Sequence, residues 1–346
     1  MSSLTIQGND PTAHILRLAC EGNGLDVVTQ NRGDYVPAIP AAILPANISR
    51  IITALIPEQK LRALSTLPDR KHIRLARSGY LVSEIPLGKF YSDRYGAKIY
   101  NIKESDLNDL LKGSLTSSTF GQPSRDKNTS NVLAVTGHLK AKPRKTNQFH
   151  TFYAEMSLDK KNILINTTWI GKRQLAHQFS TNESSHVVFL SHSENPLDPN
   201  DWHPEIREAA KAARIRKTLS RIEMTGELTS TDRSIIKLGS AWCQNNWLSP
   251  ESVHIGLEDA WVLSRMLENY EEDIDNAIFH YEKYRKVRLA RLQRTNDEEF
   301  IRCFETKGIR RLGQHIGLAF STRFIPEIYM NRQDWFHGYD CLRGFR

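Results

Sequence analysis

Hydrophobic residues recur along the 346-residue chain with helical spacing in some segments and with strand-like alternation in others. The N-terminal part predicts a strand over residues 4–6, a helix over 11–22 and a second strand over 25–29, in the order of a βαβ unit. Alternating runs between residues 148 and 190 favour an antiparallel sheet. The pattern therefore predicts an α/β protein whose parallel and antiparallel parts are built from different stretches of chain.

Further helices and one more buried strand complete the predicted elements. A Ser-, Thr-, Gly- and Asn-rich loop over residues 114–130 precedes a strand over 131–135. Helical periodicity predicts helices over residues 46–66, 104–113, 204–222, 252–268 and 275–304.

Composition narrows the class of protein. Hydrophobic residues make up 39% of the chain and charged residues 25%, which is typical of a globular protein of one large or two closely packed domains. The formal net charge of +8 arises from scattered basic residues, which indicates a solvated surface and no nucleic-acid partner. No run approaches the roughly 18 apolar residues of a membrane span. No basic segment followed by an apolar run marks a secretory signal.

Cysteine usage gives no sign of a metal site. The spacing of Cys20, Cys243, Cys303 and Cys341 matches no metal-binding pattern, and a reduced, cytoplasmic setting is expected. The sequence also contains no Ser-His-Asp set, metal cluster or P-loop that would name a reaction.

One long segment carries the clearest motif. Residues 239–260 read GSAWCQNNWLSPESVHIGLEDA. In frame and length this segment resembles the second FAD-binding motif of the aromatic-ring flavoprotein monooxygenases, which is close to G-D-A-A-H-P-x-x-P-x-x-G-Q-G-x-N-x-x-L-E-D-A. The two ends match and the middle does not, since Pro250, Glu251 and Ser252 replace its Gly-Gln-Gly.

Other landmarks of that family occur in the expected order along nearly the whole chain. The last of them resembles the ending of salicylate-hydroxylase-like members. The landmarks are LPAN at 44–47, PLG at 86–88, YGA at 95–97, IKESDLNDLL at 102–111 and DWFHGYD at 334–340.

The resemblance implies a Rossmann-like dinucleotide-binding domain interleaved with an antiparallel-sheet substrate domain and C-terminal helices. The FAD-binding-like domain would comprise residues 1–75, 100–147 and 230–300. The substrate domain would comprise residues 76–99 and 148–229, and residues 301–346 would form a C-terminal helical segment.

The first cofactor motif of the family is altered in this chain. The glycine positions of G-x-G-x-x-G fall at Gly8, Asp10 and Ala13, so that a carboxylate stands where a pyrophosphate would meet a helix N-terminus. As an alternative, Asp10 caps a helix that begins at Pro11. Asn31 replaces the acid that would bind the adenosine ribose.

Three further contacts with the cofactor are altered. Glu104 replaces an arginine, which would reverse the charge offered to an anionic ligand, and it is interpreted as a solvated acid in the first turn of a helix. Thr136 and Ser240 replace two acids, beside retained Gly137 and Gly239. The retained Leu-Glu-Asp-Ala ending at Ala260 need not signal cofactor binding, because acids suit the first turn of a helix.

These changes predict a fold that has kept its architecture and lost its flavin, so that no cofactor is expected. We expect a flavin-independent cyclase or isomerase of specialised metabolism, acting on a small aromatic, polyketide or terpenoid molecule. A non-catalytic partner subunit of a monooxygenase, and an FAD-dependent hydroxylase with atypical cofactor contacts, are the alternatives. The discriminating observations are turnover by colourless protein, co-purification with a partner, and bound yellow cofactor.

The layout of the family suggests candidate residues for the substrate pocket. They are Trp169, His177, Trp247 and His254, each of which also has a purely structural interpretation. Trp242 and Trp247 are hypothesised to fill the vacated flavin cavity or, alternatively, to pack elsewhere in the core. His138 could act as a catalytic base, but we interpret it as a surface residue.

Overall fold

The computed structural model describes most of the chain. The described residues are 3–25, 27–30, 33–37, 39–115, 131–136, 148–158, 163–192, 197–220, 227–242, 249–270, 273–305 and 326–344. Asn31, Gly137, His138, Cys243 and Trp247 lie outside them, so the predictions for these residues are not addressed by the structure.

The described strands form three sheets. In chain order they are β1 (Ser3–Gln7), β2 (Val27–Gln30), β3 (Ala41–Leu44), β4 (Ser65–Thr66), β5 (Arg70–Leu75), β6 (Leu81–Pro86), β7 (Tyr100–Lys103), β8 (Asn131–Val135), β9 (Gln148–Ser157), β10 (Ile165–Gly171), β11 (Gln174–Ser180), β12 (Ser184–His192), β13 (Arg214–Ser220) and β14 (Ile235–Lys237).

Helices cover and connect these sheets. They are α1 (Pro11–Gly22), α2 (Ala46–Leu55), α3 (Glu58–Ala63), α4 (Gly88–Tyr95), α5 (Glu104–Lys112), α6 (Pro204–Ala212), α7 (Gly256–Asn269), α8 (Ile274–Phe300) and α9 (Pro326–His337). A 3₁₀ turn, Pro250–Ser252, precedes α7. None of the described helices combines the length and the apolar character that a membrane span requires.

The first sheet is parallel and has the strand order β14-β8-β1-β2. Helix α1 connects β1 to β2 and packs against α7. This is the predicted βαβ opening, and it places the N-terminus of α1 at the carboxyl end of β1. In open α/β sheets, ligands bind at that end of the strands.

The second sheet has the order β13-β9-β12-β11-β10-β5-β6 and is antiparallel except where β5 pairs with β10. Both of its faces are covered, which explains why all nine residues of β12 are buried. One face, with Val187 and Phe189, packs against α6. The opposite face, with Val188 and Leu190, packs against a second cluster that includes residues of α4 and α9. The predicted α/β class, with a Rossmann-like part and an antiparallel sheet, is thereby confirmed.

Three predicted boundaries differ from the structure. The helix expected over residues 46–66 is divided at Pro57, which precedes α3, and ends in β4. The helix expected over 204–222 ends at Ala212, because residues 214–220 pair with the edge of β9 instead. Strand β5, which begins at Arg70, belongs to the seven-stranded sheet, whereas we expected residues up to 75 to belong to the FAD-binding-like domain.

Candidate functional site

The turn between β1 and α1 is closed by the protein's own groups. Asp10 is the N-cap of α1, and its Oδ1 accepts a hydrogen bond of 3.0 Å from the Ala13 N–H. The capping interpretation of Asp10 is therefore confirmed. The backbone N–H that a phosphate would use at this helix N-terminus is occupied by a carboxylate.

Thr136 covers the retained Gly8. A Cβ placed on Gly8 would lie 1.8 Å from the Thr136 Oγ1, so a larger residue at position 8 would have to displace the Thr136 side chain. Burial raises the pKa of Asp10, and the nearby Thr136 hydroxyl, the Ala13 N–H and His254 oppose that rise. Gly8 thus has a packing role that needs no cofactor.

Glu104 is buried in contact with His254 rather than solvated. His254 Nε2 lies 2.7 Å from Glu104 Oε1, and their side chains are 5% and 1% exposed. The Tyr35 hydroxyl donates to Glu104 Oε2 over 3.0 Å. The prediction of a solvated acid at position 104 was wrong, because the carboxylate finds two donors inside the protein.

Glu104 and His254 are both departures from the family motifs. Glu104 stands at the arginine position, and His254 falls at the asparagine of the motif quoted above. The two residues are 150 positions apart in the chain, yet they form one pair. Asp10 is electrostatically coupled to the same histidine. The altered positions therefore interact with one another.

Burial and the neighbouring carboxylate of Glu104 strongly raise the pKa of Tyr35, which keeps this phenol protonated. A protonated Tyr35 hydroxyl is the donor to one carboxylate oxygen. The other oxygen lies 2.7 Å from His254 Nε2, which donates to it when the ring hydrogen is on Nε2.

The retained glycines of the long motif are explained by close packing. Gly239 has φ +54°, and a Cβ on it would lie 3.0 Å from the Cα of Gly256. The Gly239 N–H donates to Asp259 Oδ2 over 2.8 Å. Ser240, the altered neighbour, is half-buried. The glycine pair lets the chain approach the start of α7, where Thr12 of α1 also packs.

The retained Glu258 and Asp259 form a buried ion-pair network, not merely a favourable first turn. Arg285 of α8 donates to Asp259 over 2.7 Å and to Glu258 over 3.0 Å. Arg288 donates to both oxygens of Glu258, over 2.8 and 3.1 Å. Asn47 of α2 donates to the same carboxylate over 2.7 Å. This part of the motif joins α2, α7 and α8.

Of the three pocket candidates that the structure describes, Trp169 and His177 lie on opposite faces of the second sheet. Trp169 is fully buried on the face of the second sheet that packs against α6, and its Nε1 donates to Gln178 over 3.0 Å. His177 belongs to the opposite face, where its Nδ1 lies 3.3 Å from the Thr168 hydroxyl. His254 lies in the nucleotide cleft with Glu104. Trp242 is half-buried and packs against a cluster containing Ile255 and Phe336.

Sequence reasoning missed a polar cluster between the second sheet and the 3₁₀ turn. Lys71 Nζ lies 2.6 Å from Glu251 Oε1, and His337 Nε2 lies 3.7 Å from Glu251 Oε2. The Tyr91 hydroxyl accepts from the Ala46 N–H over 3.0 Å and lies 2.9 Å from His337 Nδ1. Glu251 was visible as an altered motif position, but nothing in the sequence paired it with Lys71.

Comparisons with known proteins support the fold. No protein-family model and no curated protein matches this chain. Among solved structures, Klebsiella pneumoniae HpxO complexed with FAD and uric acid is 14% identical with a TM-score of 0.73, covering 96% of this chain and 95% of that chain. A salicylate hydroxylase substrate complex is 14% identical with a TM-score of 0.67, covering 98% and 96%.

A third similar structure is Pseudomonas aeruginosa PqsL in complex with 2-aminobenzoylacetate, 13% identical with a TM-score of 0.68 over 93% of this chain and 100% of that chain. At these identities the likeness concerns the fold. The resemblance inferred from the motifs is confirmed at that level: this chain has the fold of the FAD-dependent aromatic hydroxylases and monooxygenases, in a strongly divergent form.

The residues of the nucleotide cleft do not fit FAD. Asp10 and Glu104 present carboxylates to the region that would receive a pyrophosphate, and each already has a hydrogen-bond partner within the protein. Anionic groups repel an anionic ligand, most strongly where they are buried. Among the described residues no group of His, Cys, Asp and Glu is arranged to hold a metal ion.

Proposed function

We propose that this protein works without FAD, as an acid–base enzyme of the isomerase or cyclase type. Its substrate is a small aromatic, polyketide or terpenoid molecule. The observation that carries the proposal is the Glu104–His254 pair, which joins two altered motif positions by one internal contact of 2.7 Å. In this class of proteins the flavin supplies the oxygen-activating step. Without flavin, catalysis depends on the protein's own side chains.

The substrate class is supported by the ligands of proteins with this fold. HpxO was crystallised with uric acid and PqsL with 2-aminobenzoylacetate, both small ring compounds. One face of the second sheet provides aromatic surroundings in this chain, because Phe149 packs within 4.6 Å of Phe300 and 5.2 Å of Phe304 between ring centroids. Such surroundings suit an apolar ring.

The test is turnover by cofactor-free protein. Purified protein is incubated in D₂O with a panel of aromatic and polyketide-type carbonyl compounds, and deuterium incorporation and isomer formation are followed by NMR. We expect at least one compound to be converted without FAD, NAD(P)H or oxygen consumption. Heat-denatured protein is the control.

Two results would replace the proposal. Conversion only with added FAD and NAD(P)H, accompanied by oxygen uptake, would make the protein an oxygenase. Stoichiometric co-purification with an active monooxygenase, together with no conversion by the protein alone, would make it a partner subunit.

A further inference from the structure

The two ring nitrogens of His254 have different surroundings. Nε2 is fixed by Glu104 at 2.7 Å. Nδ1 makes no hydrogen bond to any of the described residues, and it presents a lone pair when the ring hydrogen is on Nε2, facing Glu104. A histidine that is oriented by a carboxylate through one nitrogen and free at the other has the arrangement of a general base.

We infer that His254 Nδ1 is the proton acceptor of an acid–base site in the former nucleotide cleft, and that Glu104 is its positioning residue. This inference deepens the proposed function and rests on it. Tyr35 completes the arrangement, since its hydroxyl holds the second oxygen of Glu104 and fixes the plane of the carboxylate.

Groups from two other elements face the same region. Asp10, at the N-terminus of α1, is electrostatically coupled to His254 and is buried. Thr136, at the end of β8, is 3% exposed, and its hydroxyl interacts with Asp10.

The charges of this region define the ligand. Asp10 and Glu104 are acidic, and His254 is the only basic side chain among the five described groups of the site. An anionic ligand would be repelled, whereas an uncharged molecule with an acidic C–H would not. We therefore assign the site to an uncharged carbonyl or heteroaromatic compound.

The chemical step balances without a cofactor. His254 Nδ1 takes the proton of a C–H bond next to a carbonyl, and the electron pair of that bond moves to form the enolate. The resulting imidazolium is stabilised by Glu104. Return of a proton to a different carbon gives an isomer.

The probe for this base is 5-nitrobenzisoxazole. Removal of its C–H proton breaks the N–O bond and releases yellow 2-cyano-4-nitrophenolate, so that no natural substrate is needed. We expect saturable acceleration by the wild-type protein and a loss of roughly 10²-fold in His254→Asn, within the usual range for a general base. His280→Asn, on α8, is the matched control and retains the wild-type rate.

Glu104→Gln tests the positioning role. We expect kcat to fall about tenfold with little change in KM, since the imidazolium formed in the reaction loses its ionic partner. The groups facing His254 are Glu104, Asp10 and, through Glu104, Tyr35. An unchanged kcat would show that Glu104 has only a structural role.

An exchanged pair separates folding from catalysis. Glu104→His combined with His254→Glu keeps complementary partners, so we expect cooperative unfolding to be retained while the probe reaction is lost. The anionic 5-nitrobenzisoxazole-3-carboxylate gives the same coloured product by decarboxylation, and we expect no acceleration of it.

The inference is overturned if wild-type protein is no faster than free imidazole, if His254→Asn retains its rate, or if the anionic probe is accelerated equally. None of these assays contains FAD, so failure here leaves the proposed loss of flavin standing. Flavin retention, conversely, would refute the proposed function whatever the probe shows.

Discussion

Glu251 connects three parts of the molecule through one carboxylate. It lies in the 3₁₀ turn before α7, pairs with Lys71 of the second sheet at 2.6 Å, and approaches His337 of α9 at 3.7 Å. Burial alone would raise its pKa, but Lys71 and His337 lower the pKa of Glu251 to about 2. The carboxylate is therefore ionised throughout the physiological range.

Glu251→Gln removes the charge and keeps the shape. We expect the free energy of unfolding at pH 7 to fall by about 2–3 kcal/mol. This is at the lower end for a broken buried ion pair, because Glu251 is 10% and Lys71 is 16% exposed. Urea denaturation measures it. Glu208→Gln is the control, because Glu208 is 68% exposed and its pairing with the exposed Lys211 is worth less than about 1 kcal/mol.

The effect of pH on this pair has a defined sign. The pKa of Glu251 is lower in the folded than in the unfolded protein, so its contribution is fully present above about pH 4.5 and is lost as the pH falls towards 2. The difference between wild type and Glu251→Gln should vanish across that range. A difference that persists at pH 2 would show that the charge is not responsible.

At the scale of elements, α7 and α8 are joined by charges that have no contact with water. Arg285, Glu258 and Asp259 are completely buried. Burial favours the neutral forms, and Arg285 keeps its charge because the two carboxylates raise its pKa well above the usual range. The network also fixes the segment at Gly239, because Asp259 accepts a hydrogen bond from the Gly239 N–H.

Arg285→Met leaves the two carboxylates without this partner. We expect a loss of about 3–5 kcal/mol in unfolding free energy, as for other buried pairs from which one partner is removed. Lys286→Met, the next residue on α8, removes a 61% exposed lysine and should cost less than about 1 kcal/mol. Equal losses in both variants would contradict a central role for the buried network.

Helix α1 contains a buried histidine without a partner at Nε2 among the described residues. Burial, with Lys112 and Arg17 nearby, lowers the pKa of His14 to about 4. The unfolded chain binds the proton more readily, so His14 reduces stability as the pH falls from 6.5 to 4.

His14→Leu should remove that penalty. We expect the advantage of the variant over wild type to be constant above pH 7 and to grow by about 1.4 kcal/mol per pH unit between 6.5 and 4. Chemical denaturation at pH 7.5, 5.5 and 4.5 measures it. If the difference in unfolding free energy between the variant and wild type is the same at all three pH values, protonation of His14 does not affect stability.

The elements illustrate what sequence can and cannot specify. Helix α1 has the predicted bounds, because Asp10, Pro11 and the apolar spacing all act locally. Residues 214–220 carry a helical pattern but pair with β9, since an edge strand offers hydrogen bonds that no local signal records. The burial of Glu104 was missed because its partner His254 is distant in sequence.

At the scale of the whole molecule, the segment from Ser249 to Ile255 lies where the two main parts meet. It supplies Glu251 to the second sheet and His254 to the nucleotide cleft. In the family motif the same segment faces the flavin. In this chain its side chains are paired with protein groups on both sides, which accounts for a retained fold with altered cofactor motifs.

The most direct test of this account is the visible absorption spectrum of the purified protein, recorded before and after incubation with excess FAD and removal of unbound FAD by gel filtration. An FAD-binding protein of the same fold, passed through the same column, is the control. The account predicts a colourless protein that retains no flavin band. Retention of FAD in a one-to-one ratio would contradict it, since Asp10 and Glu104 would then have to tolerate the pyrophosphate.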